Sequence, residues 1–294
     1  MKRFEAKLEV KMDCSLGEGP LWHPHEKYLY WVDIVNGKLL RYNPSTQENT
    51  EWKFPTYVGS IALGEKDELF IAAQNQLILH NTLTGASQVI LSLPLAKDMR
   101  FNDCKCDSQG RFWMGTMQLE AQKEAGSFYK IDKDGTVTQV LSKLSIPNGF
   151  CWSADDRFLY HIDSFDYAVK RYEYDSQLGS LSKPTTVISL PDNTQLPDGM
   201  CMDQKGNLWI AMWGGSKVAC YHPDTGEALA EVQVPSPHVT SCAFGGEKLD
   251  KLYITTARLG LSDEQLKEYP LSGSVFSCEV GVSGFQSNPC NIII

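Results

Sequence analysis

The chain has 294 residues, with 36 acidic against 27 basic side chains and a formal net charge of −9. An acidic chain without a Lys/Arg run lacks the electrostatic footprint that neutralises a phosphate backbone, which argues against a nucleic-acid partner. No stretch approaches eighteen uninterrupted apolar residues and the opening residues offer no apolar core of signal-peptide length, so a cytoplasmic protein with no membrane partner is expected.

The first β-rich segment, Lys7 to Met12, has no strand partner nearby in sequence. After it comes a repeat. Six short stretches, each headed by a small or polar residue, recur roughly forty to fifty positions apart. The heads are Glu18, Gly59, Asn102, Asn148, Asp198 and Thr240. Some ten residues after each head stands an apolar, aromatic-rich run, beginning at Tyr28, Leu69, Phe112, Phe158, Leu208 and Leu252. Polar turns such as Ser153 to Asp156 and Asp203 to Gly206 separate head from run. A third short run usually follows, as in Lys38 to Tyr42, Val169 to Tyr174 and Lys217 to Tyr221. Several short strands per unit of this length are the mark of propeller blades. The expected fold is all-β, a six-bladed β-propeller with four-stranded blades that takes up residues 1–294 as a single domain. Lys7 to Met12 and Gly273 to Val280 lack blades of their own and are expected to complete one between them, closing the ring and removing an exposed edge. Helical signal is confined mainly to Ser262 to Glu268, with Ser262 or Asp263 as its cap.

Nine cysteines are scattered without paired spacing, and Cys104 and Cys106 find no second pair or histidine cluster to complete a zinc set. They read as small buried apolar side chains in a reducing compartment. His23 and His25 share one hairpin and read as part of a solvated turn. The tryptophans read as packing between blades, with Trp213 in a position that could instead reach the channel mouth.

In a propeller the innermost strands surround the axis, so the heads meet at one mouth of the channel. Glu18, Asn148 and Asp198 together give two carboxylates and an amide carbonyl, an all-oxygen set suited to Ca²⁺, Mg²⁺ or Mn²⁺, with Zn²⁺ possible where water completes the shell. Each is followed by glycine (Gly19, Gly149, Gly199), which would let the backbone pass close to a bound group, and Pro147 and Pro197 restrain strand entry. Taken singly, such Pro-Asn-Gly and Pro-Asp-Gly triplets read as ordinary turns; three at equivalent repeat positions favour a metal site.

These residues resemble the gluconolactonase, regucalcin (senescence marker protein) and luciferin-regenerating-enzyme family. The matching stretches are Gly17 to Pro20 with Trp22, Arg100 to Asp103, Gly115 to Met117, Pro147 to Gly149 with Trp152, Tyr160 to Ser164, Leu196 to Met200, Gly206 to Ala211, and Val239 to Ser241 with Phe244 to Gly246. They run in order from the first blade to the sixth. The resemblance implies a six-bladed propeller holding one divalent cation, Ca²⁺ first, on the residues Glu18, Asn148 and Asp198. It further implies hydrolysis of sugar lactones, with Arg100, Asn102 and Glu120 contacting substrate hydroxyls and Asp198 acting in proton transfer. The loop-like segment Gln118 to Lys123 lets the Glu120 assignment slide by one residue either way.

A lactone needs its carbonyl polarised and a water delivered, which a divalent cation with open positions can supply without a covalent intermediate. Arg100 offers a planar fork of donors and Asn102 both donor and acceptor, a match for a polyhydroxylated ring. Two alternatives stand beside this reading: a calcium-binding regulator without catalytic duty, and an organophosphate hydrolase on the same propeller. Buried polar groups left unpaired by an apolar substrate weigh against the second. The chain is expected to act as a monomer or weak oligomer.

Overall fold

The structure is a computed structural model that describes residues 1–190 and 194–293. Its strands fall into six sheets, each built on an antiparallel meander whose inner strand is an edge. These inner strands, the first of each meander, are Gly17–His23, Val58–Leu63, Met99–Cys106, Pro147–Trp152, Leu196–Met202 and Val239–Gly245, each carrying one predicted head. The architecture is a six-bladed β-propeller, as the repeat predicts.

The sixth blade is closed as expected: Lys7–Val10 pairs antiparallel with Val275–Glu279, with Leu8 opposite Phe276. Two blades exceed four strands. In the fourth, Ala168–Asp175 pairs both with Ser180–Leu181 and with Thr185–Ser189. In the fifth, Lys2–Glu5 adds a parallel outer strand along Ala228–Gln233. The single α-helix among the described residues, Asp263–Glu268, is capped by Ser262, whose hydroxyl accepts the Gln265 N–H while the Gln265 side chain returns to the cap.

Period-2 alternation places the core between blades. Along Glu68–Ala73, Leu69, Ile71 and Ala73 face the first blade while Phe70 and Ala72 face the third. Six apolar clusters result among the described residues, one at each interface between neighbouring blades. Tryptophans do pack there: Trp113 and Trp209 are buried, and each indole N–H is satisfied by a carboxylate, Asp107 or Asp203, that also ties the turn ahead of its strand. All nine cysteines are free, and only Cys201 is more than marginally exposed. His23 corrects the reading of a solvated pair. His25 is exposed, but the His23 ring is buried beside Tyr30 and accepts the Glu26 N–H at 3.2 Å through Nδ1.

Every first strand is bulged against its second strand at the head. The register shifts fall between Glu18 and Leu21, Val58 and Ser60, Phe101 and Cys104, Pro147 and Phe150, Pro197 and Met200, and Val239 and Ser241. A bulge bends its strand and re-aims a side chain. Six equivalent bulges therefore set six head positions around one mouth.

Candidate functional site

The heads lie where neighbouring inner strands approach most closely. A Cβ at Gly149 would stand 2.4 Å from the Met200 nitrogen and 2.6 Å from the Asp198 carbonyl, and one at Gly199 would stand 2.0 Å from Ser241 Oγ. Gly19 and Gly59 abut the second and third blades in the same way. The glycines after the heads thus make room for the next blade rather than for a bound group, and the ring of inner strands can close only where side chains are absent. Thr240 completes the circle by donating to the Gly17 carbonyl.

Two heads are anchored by an identical device. Asp33, at the end of the first blade's second strand, accepts the backbone N–H groups of Ser15 and Leu16. Asp163, its counterpart in the fourth blade, accepts those of Ser145 and Ile146. Each carboxylate fixes the chain just before it enters the strand bearing Glu18 or Asn148.

A hydrogen-bonded row joins the third, fourth and fifth blades. Arg100 Nη1 donates to Asn102 Oδ1 at 2.7 Å and to the Phe101 carbonyl at 2.9 Å. Asn102 Nδ2 donates to Asn148 Oδ1 and to the Pro147 carbonyl, both at 3.0 Å. Asn148 Nδ2 donates to Ser164 Oγ at 3.0 Å, and Ser164 donates onward to the Pro197 carbonyl at 2.7 Å, one residue before Asp198. All four side chains are buried. This row orients the Asn148 amide: its nitrogen is spent on Ser164, and its carbonyl oxygen, holding two lone pairs, retains one for a further partner. Ser164 was singled out in sequence only as part of a family stretch. Its place one residue past Asp163, at the end of the fourth blade's second strand, is the signal that marks it.

The carboxylates complete the site. Burial drives the Asp198 carboxyl well above its ordinary value, and the negative charges of Glu18 and Asp103 add to the effect. Glu18, partly buried, is pushed up to about 8 by desolvation and then by Asp103, although Oε2 accepts the Gly19 N–H at 2.8 Å. Asp103 is raised chiefly by burial, its Oδ1 held by the Cys104 N–H and Ser60 Oγ. Burial lowers Arg100 to about 10 against the pull of Glu18, Tyr57 and Asp198. Among the described residues, no ion pair joins Glu18, Asp103 or Asp198 to a cationic side chain, and no cluster of three or more His, Cys, Asp or Glu side chains forms a metal-holding group. Carboxylates that raise one another's proton affinity, within the field of Arg100 and Lys105 but in no direct ion pair with either, stand with an amide oxygen that keeps a lone pair in reserve; this is the donor chemistry of a hard divalent ion. The residues present fit such an ion.

Glu120 does not join the buried row. It stands exposed in the turn after Phe112–Gln118, its backbone N–H bonded to Gln118 Oε1. That strand runs beside Arg100, which pairs with Met117, so the Glu120 turn follows at the same end of the third blade as Arg100. Trp213 ends its strand opposite Leu196, on the same mouth, and stacks on His238 with ring centroids 4.0 Å apart and planes 12° from parallel.

A bulged six-bladed ring presenting acids and amides at one mouth defines the class of protein. The comparisons with known proteins define the family: the model of the SMP-30/Gluconolactonase/LRE-like region matches residues 16–258, and the chain belongs to that family. The putative sugar lactone lactonase YvrE of Bacillus subtilis is 35% identical over 287 residues, covering 97% of this chain and 98% of its own. Regucalcin of Oryctolagus cuniculus is 35% identical over 292 residues and covers 97% of each chain. A solved structure described as a calcium-binding protein, regucalcin, from Agrobacterium tumefaciens superposes with a TM-score of 0.94 at 28% identity, over 100% of both chains.

Proposed function

We propose that the chain hydrolyses sugar lactones in a reaction dependent on a divalent cation held by Glu18, Asn148 and Asp198. The observation that carries the reading is the hydrogen-bonded row from Arg100 through Asn102 and Asn148 to Ser164, which ends beside Asp198 and delivers hydroxyl-binding groups and acids to one mouth. The lactonase name borne by the Bacillus subtilis relative and the calcium-binding description of the Agrobacterium tumefaciens structure support the substrate class and Ca²⁺ as first choice of ion.

A divalent ion bound there would supply Lewis acidity toward a carbonyl and acidify a water. The chain's own groups do the rest. Asn102 holds Arg100 through Oδ1, so the fork reaches the mouth pre-ordered, with nitrogens left over for ring hydroxyls. Asp198 is the carboxylate that would take a proton from the attacking water and return it to the leaving alkoxide. Ser164 and Asn102 restrain the Asn148 amide, keeping its oxygen turned to the mouth. Glu120, exposed in its turn, would meet an outer hydroxyl of a bound sugar, and Trp213, stacked on His238, would offer a ring face.

The test is a pH-indicator assay of chelated protein against a panel of aldonolactones, with Ca²⁺, Mg²⁺, Mn²⁺ and Zn²⁺ restored in turn. Acid release that depends on added ion and is lost in a folded Asp198→Asn variant is the expected result. Full turnover by chelated protein, or by that variant, would refute it.

A further inference from the structure

Beneath the heads the channel widens into a cavity of about 330 Å³, walled by inner-strand residues including Ser60, Asp103, Cys151, Cys201 and Ser241. The C-terminal segment crosses its far end: Gly284 N–H donates to Leu249 of the sixth blade, and Cys290 and Asn291 N–H groups donate to Leu63 and Gly110 of the second and third. Among the residues that line the cavity one is cationic, Lys105. Lys105 leaves the inner strand of the third blade and its Nζ donates to the Phe150 carbonyl at 2.7 Å and to the Met200 carbonyl.

Those two carbonyls are informative. Phe150 lies two residues past Asn148, and Met200 two residues past Asp198. Each belongs to the edge strand of its sheet, so a carbonyl turned to the axis has no ladder partner and needs a donor from elsewhere. Both residues are wholly buried. A single ammonium, compact and with three donors, ties the fourth blade to the fifth just below the two heads. It acts where the strands have no side-chain cushion, because the contact at Gly149 and Met200 is backbone against backbone.

We propose that Lys105 is the positioning residue that fixes the separation of the strands bearing Asn148 and Asp198, and so sets the size of divalent ion the mouth accepts. The inference rests on the metal reading given above and adds what tunes it. Ca²⁺ takes oxygen donors at about 2.3–2.6 Å and Mg²⁺ at about 2.0–2.1 Å, so a change of a few tenths of an ångström in donor spacing moves the preference between them. The hydrogen bonds of the Lys105 ammonium go to backbone, not to Glu18, Asn148 or Asp198. Its effect passes through two backbone carbonyls.

Calorimetric titration of chelated wild type and Lys105→Met with Ca²⁺ and with Mg²⁺ tests this, since methionine keeps the length of the side chain and removes charge and donors together. The expected result is Ca²⁺ binding about 10- to 100-fold weaker in the variant, the range typical of lost support behind a metal ligand, with the Ca²⁺:Mg²⁺ affinity ratio altered. In a crystal structure of the variant the Phe150 and Met200 carbonyl oxygens should stand farther apart. Unchanged affinities and ratio would reduce Lys105 to a purely structural tie, and tighter binding would show that it acts only as a repelling charge; either overturns the proposal. If Lys105→Met does not fold, Lys105→Gln, which can still serve one carbonyl, carries the same comparison. A wild type that binds neither ion sinks the metal reading and this inference with it, whereas a binding wild type matched by its variant sinks the inference alone.

Discussion

Chelated protein should lose stability as the pH rises from 4.5 towards 8, and Glu18→Gln should abolish much of that loss. Desolvation and Asp103 move the Glu18 carboxyl from 4.5 up to about 8. A carboxyl whose folded value exceeds its unfolded one favours folding relative to its charged form at low pH, and that contribution disappears as pH climbs from the unfolded value through the folded one. By pH 7 the difference amounts to about 3 kcal/mol at 1.36 kcal/mol per pH unit, reduced to roughly 2–3 because solvent reaches this partly buried side chain. A glutamine cannot ionise, so the variant matches wild type near pH 4 and exceeds it at pH 7. Melting scans in chelator from pH 4.5 to 8 provide the assay, with the variant about 4–12 °C higher at pH 7. Saturating Ca²⁺ should raise wild type and leave the variant unmoved. Parallel curves for the two proteins in chelator, or a variant less stable at pH 7, would refute the reasoning.

Gly199→Ala should cost about 3 kcal/mol or more, or prevent folding, because its Cβ would fall 2.7 Å from the Ser241 Cα, whereas Gly206→Ala meets nothing within 4 Å and should cost about 1–2 kcal/mol for its left-handed backbone; denaturant titration separates them. Ser164→Ala leaves Asn148 Nδ2 and the Pro197 carbonyl without their partner and should lower kcat/KM for a lactone by about 10- to 100-fold, as steady-state kinetics would show. Removing residues 1–5 strips only the outer parallel strand of the fifth blade and should shift the melting temperature slightly. Removing residues 1–12 opens the sixth blade and should abolish cooperative melting.

The ring was legible because its repeat is written in heads and aromatic runs, and because two orphan strand segments at opposite ends of the chain could only satisfy each other. Lys2–Glu5 was not legible. Its partner is an outer strand more than two hundred positions away, and its exposed residues carry no alternating pattern that would mark a strand. At the mouth, the sequence marked the acids and amides through their shared place in the repeat. It misread the glycines beside them, since a triplet that suits a ligand's approach suits a neighbouring strand equally well, and only the packing of Gly149 against Met200 distinguishes the two. Lys105 was hidden, and Ser164 stood out only within a family-like stretch, for a related reason: each acts by holding a backbone carbonyl of another blade, a role that local composition does not spell out. His23 was misjudged because its neighbour His25 is exposed, while burial of its own ring depends on the Tyr30 strand folding over it.

The most direct measurement of the central claim is anomalous diffraction at the manganese edge from crystals soaked in Mn²⁺. A single strong peak within coordinating distance of Glu18, Asn148 and Asp198 side-chain oxygens is the predicted result. A mouth free of any peak, or an ion seated on other residues while these three side chains turn away from one another, would contradict it.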